Sequence, residues 1–214
     1  MLVPTKSAAV ASFARHERLT VRQRKRWIEI LFNWEQKNAY DVFDEDGLPV
    51  LRVEEQGHGL GNLLKRLIVG TLRPFTAHVN DLATQMPALV LYRPFRFYFH
   101  RLEVRDEHGE MLGWIERRWS WLRRIYTVYD AQGREIVGLF GPIFRPWTFQ
   151  IHAPGDRAEL GLIQKKWSGF GRELFTDADN FGLMFTEVKD PGLRALLFSA
   201  TVLIDVVHFE RSKG

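Results

Sequence analysis

Pro191-Gly-Leu-Arg-Ala-Leu-Leu-Phe-Ser-Ala-Thr-Val-Leu-Ile-Asp-Val-Val-His-Phe-Glu210 decides how this chain folds. Pro191 suits a first helical turn, where the donor it lacks would have had no partner. The apolar residues Leu193, Leu196, Leu197, Ala200, Val202, Leu203, Ile204, Val206 and Val207 then fall on every side of the cylinder instead of along one stripe. A helix apolar all round must be buried all round, so either a bilayer or the rest of the chain encloses it. At about twenty residues it is long enough to span hydrocarbon. Against a span stand Arg194 near its start and Asp205 and His208 near its end, since an aspartate at membrane depth is costly. The favoured expectation is a central helix over 191–210 enclosed by protein; a helix that crosses the membrane is the alternative.

What would enclose it is a hairpin that recurs upstream. Val42-Phe-Asp-Glu-Asp-Gly47, Val104-Arg-Asp-Glu-His-Gly109 and Val128-Tyr-Asp-Ala-Gln-Gly133 each end one apolar run and open another, and Asp-Gly between such runs signals a tight turn. Val79-Asn-Asp81 and Ile151-His-Ala-Pro-Gly155 are looser copies. The last four begin at 79, 104, 128 and 151, about 23 to 25 residues apart, a period that marks one supersecondary unit per repeat. The return strands Leu112-Gly-Trp-Ile115, Val137-Gly-Leu-Phe140 and Leu160-Gly-Leu-Ile163 share a glycine, expected at a tight bend or where backbone comes close to whatever lies inside. Five hairpins give ten strands, and the segments around Leu19 to Phe32 and Leu183 to Thr186 supply about two more. A sheet that long curls and closes on itself.

The fold class expected is therefore mainly β: a closed antiparallel barrel of about twelve strands around a buried hydrophobic C-terminal α-helix. Residues 1–18 read as a flexible leader and 19–214 as a single domain. Gly57-His-Gly-Leu-Gly-Asn-Leu-Leu-Lys-Arg-Leu-Ile-Val69 reads as a short amphipathic helix inserted beside the barrel.

The net charge of +4 favours anionic partners, lipid head groups or nucleic acid. The chain has no cysteine, which excludes a disulfide framework, a thiolate metal site and a cysteine nucleophile. Residues 1–18 lack the sustained apolar run of a signal peptide, and the chain reads as cytoplasmic, peripheral at the membrane. Gly57, Gly59 and Gly61 precede a helix, but no Lys-Ser or Lys-Thr follows and no parallel βαβ unit surrounds them. The seven histidines are scattered without zinc-ligand spacing, and Ser168 lacks the glycine of a nucleophile elbow. No hydrolase or redox constellation is present in the sequence. Basic residues do cluster beside aromatics: Arg22, Arg24, Lys25 and Arg26 with Trp27; Arg117, Arg118, Arg123 and Arg124 with Trp119 and Trp121; Lys165 and Lys166 with Trp167. Such groups suit an anionic membrane, where cations meet charge and tryptophan sits at head-group level. They also suit nucleic-acid phosphates, and solvated strand faces with core tryptophans have the same composition. The lipid-binding candidates are Arg24, Lys25, Arg26, Arg117, Arg118, Arg123, Arg124, Lys165 and Lys166.

The run Trp167-Ser-Gly-Phe-Gly-Arg-Glu-Leu-Phe-Thr-Asp-Ala-Asp-Asn-Phe-Gly-Leu-Met-Phe185, with Leu203-Ile-Asp-Val-Val-His-Phe-Glu210 after it, closely resembles the phospholipid scramblase family, whose members look like tubby C-terminal and LURP-one-related proteins. The resemblance reaches more loosely to Trp27-Ile-Glu-Ile-Leu31 and Trp34-Glu-Gln-Lys-Asn-Ala-Tyr40. It implies a barrel of about twelve strands around the C-terminal helix and association with phospholipid membranes. In the animal members it also implies calcium-dependent movement of lipid between leaflets. The family's calcium segment corresponds to Asp177 through Val188. Asp177 and Asp179 take its first and third ligand positions and Gly182 the sixth, where a sharp turn is needed. Phe181 and Val188 stand at positions five and twelve, where the last would be an acid, so weak calcium binding or none is expected. The function expected is peripheral binding to anionic phospholipid membranes. Two alternatives stay open: a calcium-dependent scramblase with a membrane-spanning C-terminal helix, and a nucleic-acid-binding or regulatory tubby-like module.

Overall fold

The structure, a computed structural model, describes residues 3, 7–23, 39–56, 74–95, 100–121, 123–142, 144–145, 147–156, 158–165 and 180–208. A short helix α1 (Ala8–Ala11) and a 3-10 turn (Ser12–Arg15) lead into the first strand. The strands are β1 (Arg18–Gln23), β2 (Ala39–Phe43), β3 (Pro49–Glu55), β4 (Phe75–Asp81), β5 (Pro87–Arg93), β6 (Arg101–Asp106), β7 (Met111–Arg118), β8 (Arg123–Asp130), β9 (Glu135–Pro142), β10 (Thr148–His152), β11 (Glu159–Lys165) and β12 (Asn180–Met184). Each strand pairs antiparallel with its neighbours in sequence, and β1 pairs with β12 to close the barrel. Helix α2 (Pro191–His208) follows β12. The expected architecture is the one observed.

Successive connections alternate between the two ends of an antiparallel barrel. The β2–β3, β4–β5, β6–β7, β8–β9 and β10–β11 turns lie at one end, the hairpin end, and three of them share one construction. Asp44, Asp106 and Asp130 each accept with Oδ1 from backbone N–H groups two and four residues on: Asp46 and Leu48, His108 and Glu110, Gln132 and Arg134, all at 2.8–3.0 Å. Gly47, Gly109 and Gly133 then take φ near +80°, a conformation that a side chain disfavours. One extra residue in each return strand shifts the register beside the turn, between Val42 and Phe43, Val104 and Arg105, and Val128 and Tyr129. The sequence repeat is thus a turn with an aspartate cap and a positive-φ glycine, followed by a bulge that adds twist to the ladder.

The return-strand glycines serve a different purpose from the one expected. A side chain at Gly113 would collide with the Tyr129 carbonyl, and one at Gly161 with the Met184 carbonyl, whereas Gly138 has open space around it. The close approach is to a neighbouring strand at two of the three positions and not to the enclosed helix.

Buried residues alternate with more exposed ones along strands such as β2, β4, β6 and β10, and the residues of α2 from Leu193 to Val207 are all buried. Asp190 caps the helix, accepting from the Leu193 N–H at 2.7 Å, as an aspartate before Pro191 should. The polar groups of the helix are satisfied inside the protein. Ser199 and Thr201 donate to the Ala195 and Leu197 carbonyls. Arg194, 1% exposed, donates through Nη1 to the carbonyls of Phe13, Ala14 and His16 and through Nε to Val188. At the far end Asp205 accepts from the Tyr40 hydroxyl at 3.0 Å and meets Lys165 Nζ at 3.7 Å. Among the described residues no helix is long and apolar enough to cross a membrane, so the spanning alternative for this helix gives way to the enclosed one.

The expectation of a loose leader needs correction over its described residues. Val3, Val10 and Phe13 belong to the hydrophobic core, with Phe13 packed at 5.7 Å from the ring of Phe198. They close the hairpin end over the start of α2, where a side chain on Gly192 would meet Val3.

Candidate functional site

At the opposite end, called the rim, the β5–β6, β7–β8 and β9–β10 connections lie side by side because their strands are consecutive in the barrel. They present Phe95 (45% exposed), Trp119 (66%), Trp121 (82%), Phe144 (95%) and Trp147 (41%). Among the described residues only Leu48, Met86 and Tyr92 are other large hydrophobics so exposed. Trp119 and Trp121 pack edge to face at 5.1 Å. Turning five aromatic side chains to solvent at one end costs hydrophobic free energy that burial inside would recover. Arginines stand among them. Arg118 and Arg145 are exposed, with Arg118 donating to the Tyr129 hydroxyl at 3.0 Å. Arg123 is exposed beside the outward ring of Phe140 at 4.7 Å. Such stacking holds a guanidinium in place while leaving its donors available.

The inner wall of the rim is also cationic. Arg117 follows Ile115 on the inward face of β7 and lies directly across from Tyr126. Arg124 precedes Tyr126 by two residues on β8 and stacks over the Phe149 ring at 5.0 Å. Arg93, on the inward face of β5, meets His100 Nδ1 at 2.7 Å. Burial pushes the Tyr126 phenol well above its ordinary range, against the opposing pull of Arg117, Arg124 and Arg93, so it stays protonated. Burial also lowers the Arg124 pKa; the phenol partly offsets this and Arg117 adds to it.

The structure therefore brings Arg117, Arg118, Arg123 and Arg124 together at one end, two facing out and two facing in. Lys165 is placed differently from expectation. It is 5% exposed, points inward after Gly161 and Ile163, and is held by Asp205 and by the Phe181 ring at 5.3 Å. Its charge neutralises a helix carboxylate instead of facing lipid. Strand parity was the available signal; the partner, forty residues away in another element, was not. Arg24, Lys25, Arg26, Lys166, Asp177 and Asp179 lie outside the described residues, as do Trp27, Trp167, Ser168 and the glycines at 57, 59 and 61. The rim residues that sequence reasoning missed are Phe95, Phe144, Arg145 and Trp147, whose strand-connecting positions become neighbours only when β5 to β10 pair.

The twelve-residue calcium loop does not fit the second half of its segment. Gly182 is a mid-strand residue, paired with Thr20 on one side and Gln164 on the other. It cannot make the sharp turn that such a loop needs at its sixth position. Among the described residues no group of three or more His, Asp or Glu is placed to hold a metal ion.

The class the fold defines is a closed antiparallel barrel threaded by its own apolar helix, covered at the helix start and carrying exposed aromatics and arginines at the other end. The chain belongs to the Scramblase family, whose profile matches residues 1–211. It is similar to phospholipid scramblase 2 of Homo sapiens, 28% identical over 207 residues that cover 91% of this chain and 68% of that protein. It is also similar to phospholipid scramblase 1 of Mus musculus, 28% identical over 211 residues, 93% of this chain and 63% of the relative. Phospholipid scramblase family member 5 of Homo sapiens is 24% identical over 206 residues, 91% and 74%. The chain thus spans about two-thirds of the length of the curated relatives it matches. No solved structure matches it.

Proposed function

We infer that this protein attaches peripherally to anionic phospholipid membranes through the rim. The observation that carries the reading is the concentration of exposed Phe95, Trp119, Trp121, Phe144 and Trp147 among Arg118, Arg123 and Arg145 at a single end. Tryptophan and phenylalanine enter the interface between head groups and acyl chains, while each nearby arginine gains about 1 kcal/mol from an anionic surface. Membership of the Scramblase family supports phospholipid as the surface. Scrambling itself is what the relatives' names describe, and transfer of labelled lipid between leaflets of reconstituted vesicles measures it separately. Nucleic acid is the weaker partner, because exposed indoles beside an apolar phenylalanine fit acyl chains better than a phosphate backbone.

Flotation with vesicles of neutral phosphatidylcholine, with and without phosphatidylserine, tests the attachment. Binding to the anionic vesicles alone is expected, unchanged by a calcium chelator and weakened as salt rises through the screening range. Equal binding to neutral and anionic vesicles rejects the reading.

A further inference from the structure

The outer rim accounts for a surface but not for the charge inside the mouth. Arg93, Arg117 and Arg124 line the inward face of β5, β7 and β8, and all three act electrostatically on the single hydroxyl of Tyr126. Among the described residues the inward carboxylates at this end are Glu55 on β3 and Asp205, and Asp205 is engaged by Lys165 and Tyr40. Among the described residues no ion pair joins Arg117 or Arg124 to a carboxylate, and Arg124 Nη2 is buried with no hydrogen-bond partner. Across an antiparallel pair, residues directly opposite or diagonal on one face lie within roughly 5–8 Å. Two guanidiniums so placed, partly desolvated, repel each other. Buried charges are ordinarily paired, and among the described residues no carboxylate pairs with these two. Two planar forks on one inner wall suit a tetrahedral oxyanion, which offers more acceptor oxygens than a single carboxylate.

We propose that Arg117 and Arg124, backed by Arg93, bind one phosphate monoester in the mouth of the barrel. A monoester offers three oxygens and close to two negative charges at neutral pH, enough to serve two forks, whereas a phosphodiester offers one charge and is flanked on both sides. In its lipid form this rests on the membrane reading of the rim, which brings a head group to the mouth. A soluble phosphate ester has the same chemistry, and the experiment separates the two.

Vesicles containing phosphatidic acid, a monoester, are compared with phosphatidylserine vesicles matched for surface charge, for the full chain and for Arg117→Gln/Arg124→Gln. Glycerol 3-phosphate serves as the soluble probe, followed by calorimetry. The unaltered chain should bind phosphatidic acid vesicles about tenfold more tightly than the matched ones, the size expected of a charge-assisted hydrogen bond. The double variant should lose that preference and the calorimetric signal, yet still float with phosphatidylserine vesicles through the outer rim. Arg124→Lys, which keeps charge without the fork, should retain only part of the preference, and an unchanged melting temperature shows that the variants fold. Absence of any preference in the unaltered chain, or its survival in the double variant, overturns the proposal while leaving surface attachment intact. Binding of glycerol 3-phosphate by the unaltered chain alone, with no flotation on either vesicle, keeps the phosphate site and removes the membrane reading.

Discussion

Asp130 shows how much one side chain can do in a turn of this barrel. Its buried carboxylate holds the β8–β9 turn through Gln132 and Arg134 and pairs with the Arg134 guanidinium at 2.7 Å. Burial opposes its ionisation, but the Arg134 N–H, then the Arg134 guanidinium, outweigh it, and the carboxyl titrates below the ordinary range. A depressed folded pKa gives stability that is complete above the unfolded value of about 4 and is lost as pH falls through the folded one. Urea midpoints measured from pH 7 downward should therefore fall for the unaltered chain and fall less for Asp130→Asn. Asp130→Ala should cost about 1–3 kcal/mol at neutral pH, since buried turn donors lose their acceptor. This part of the structure was legible because Asp and Gly act on their own backbone, within five residues. Lys165 was not, because its role depends on Asp205, which reaches it only through the folded core.

The elements of the core meet at Arg194. Its guanidinium draws together the 3-10 turn, the segment before β1 and the loop after β12 through Phe13, Ala14, His16 and Val188, and lies over the Phe185 ring at 5.0 Å. Burial lowers its pKa, with Glu17 opposing that effect from 3.8 Å. Replacing it by alanine leaves several buried carbonyls unpaired and opens a void, so Arg194→Ala should destabilise by about 3 kcal/mol or more in chemical denaturation. Arg194→Lys, which retains a charge but fewer donors, should fall between. The helix was legible from its all-round apolar surface. The packing of Val3, Val10 and Phe13 was not, since three apolar residues scattered through an alanine- and serine-rich stretch carry no period, and their value comes from the helix start they cover.

For the whole molecule, the pairing of consecutive strands turns three separate connections into one face, and that face is tested as a unit. Trp119→Ala/Trp121→Ala/Phe144→Ala should keep the unaltered melting temperature within about 1 °C, because exposed side chains contribute little to folding, while reducing flotation on anionic vesicles at least tenfold. A large drop in melting temperature without a change in flotation would show these rings to be structural instead. The strand count and the enclosed helix could be read from repeat and periodicity; the rim could be read only where arginine and tryptophan were already adjacent in sequence. Because β1 pairs with β12, the barrel closes only when its last strand is present. The innermost segment, α2, follows all twelve strands in the chain, so their inward apolar face stays bare until the helix arrives. Such long-range topologies form slowly and expose aggregation-prone edges meanwhile. Nascent chains stalled before residue 190 should be protease-sensitive, and protection should appear only once α2 has emerged.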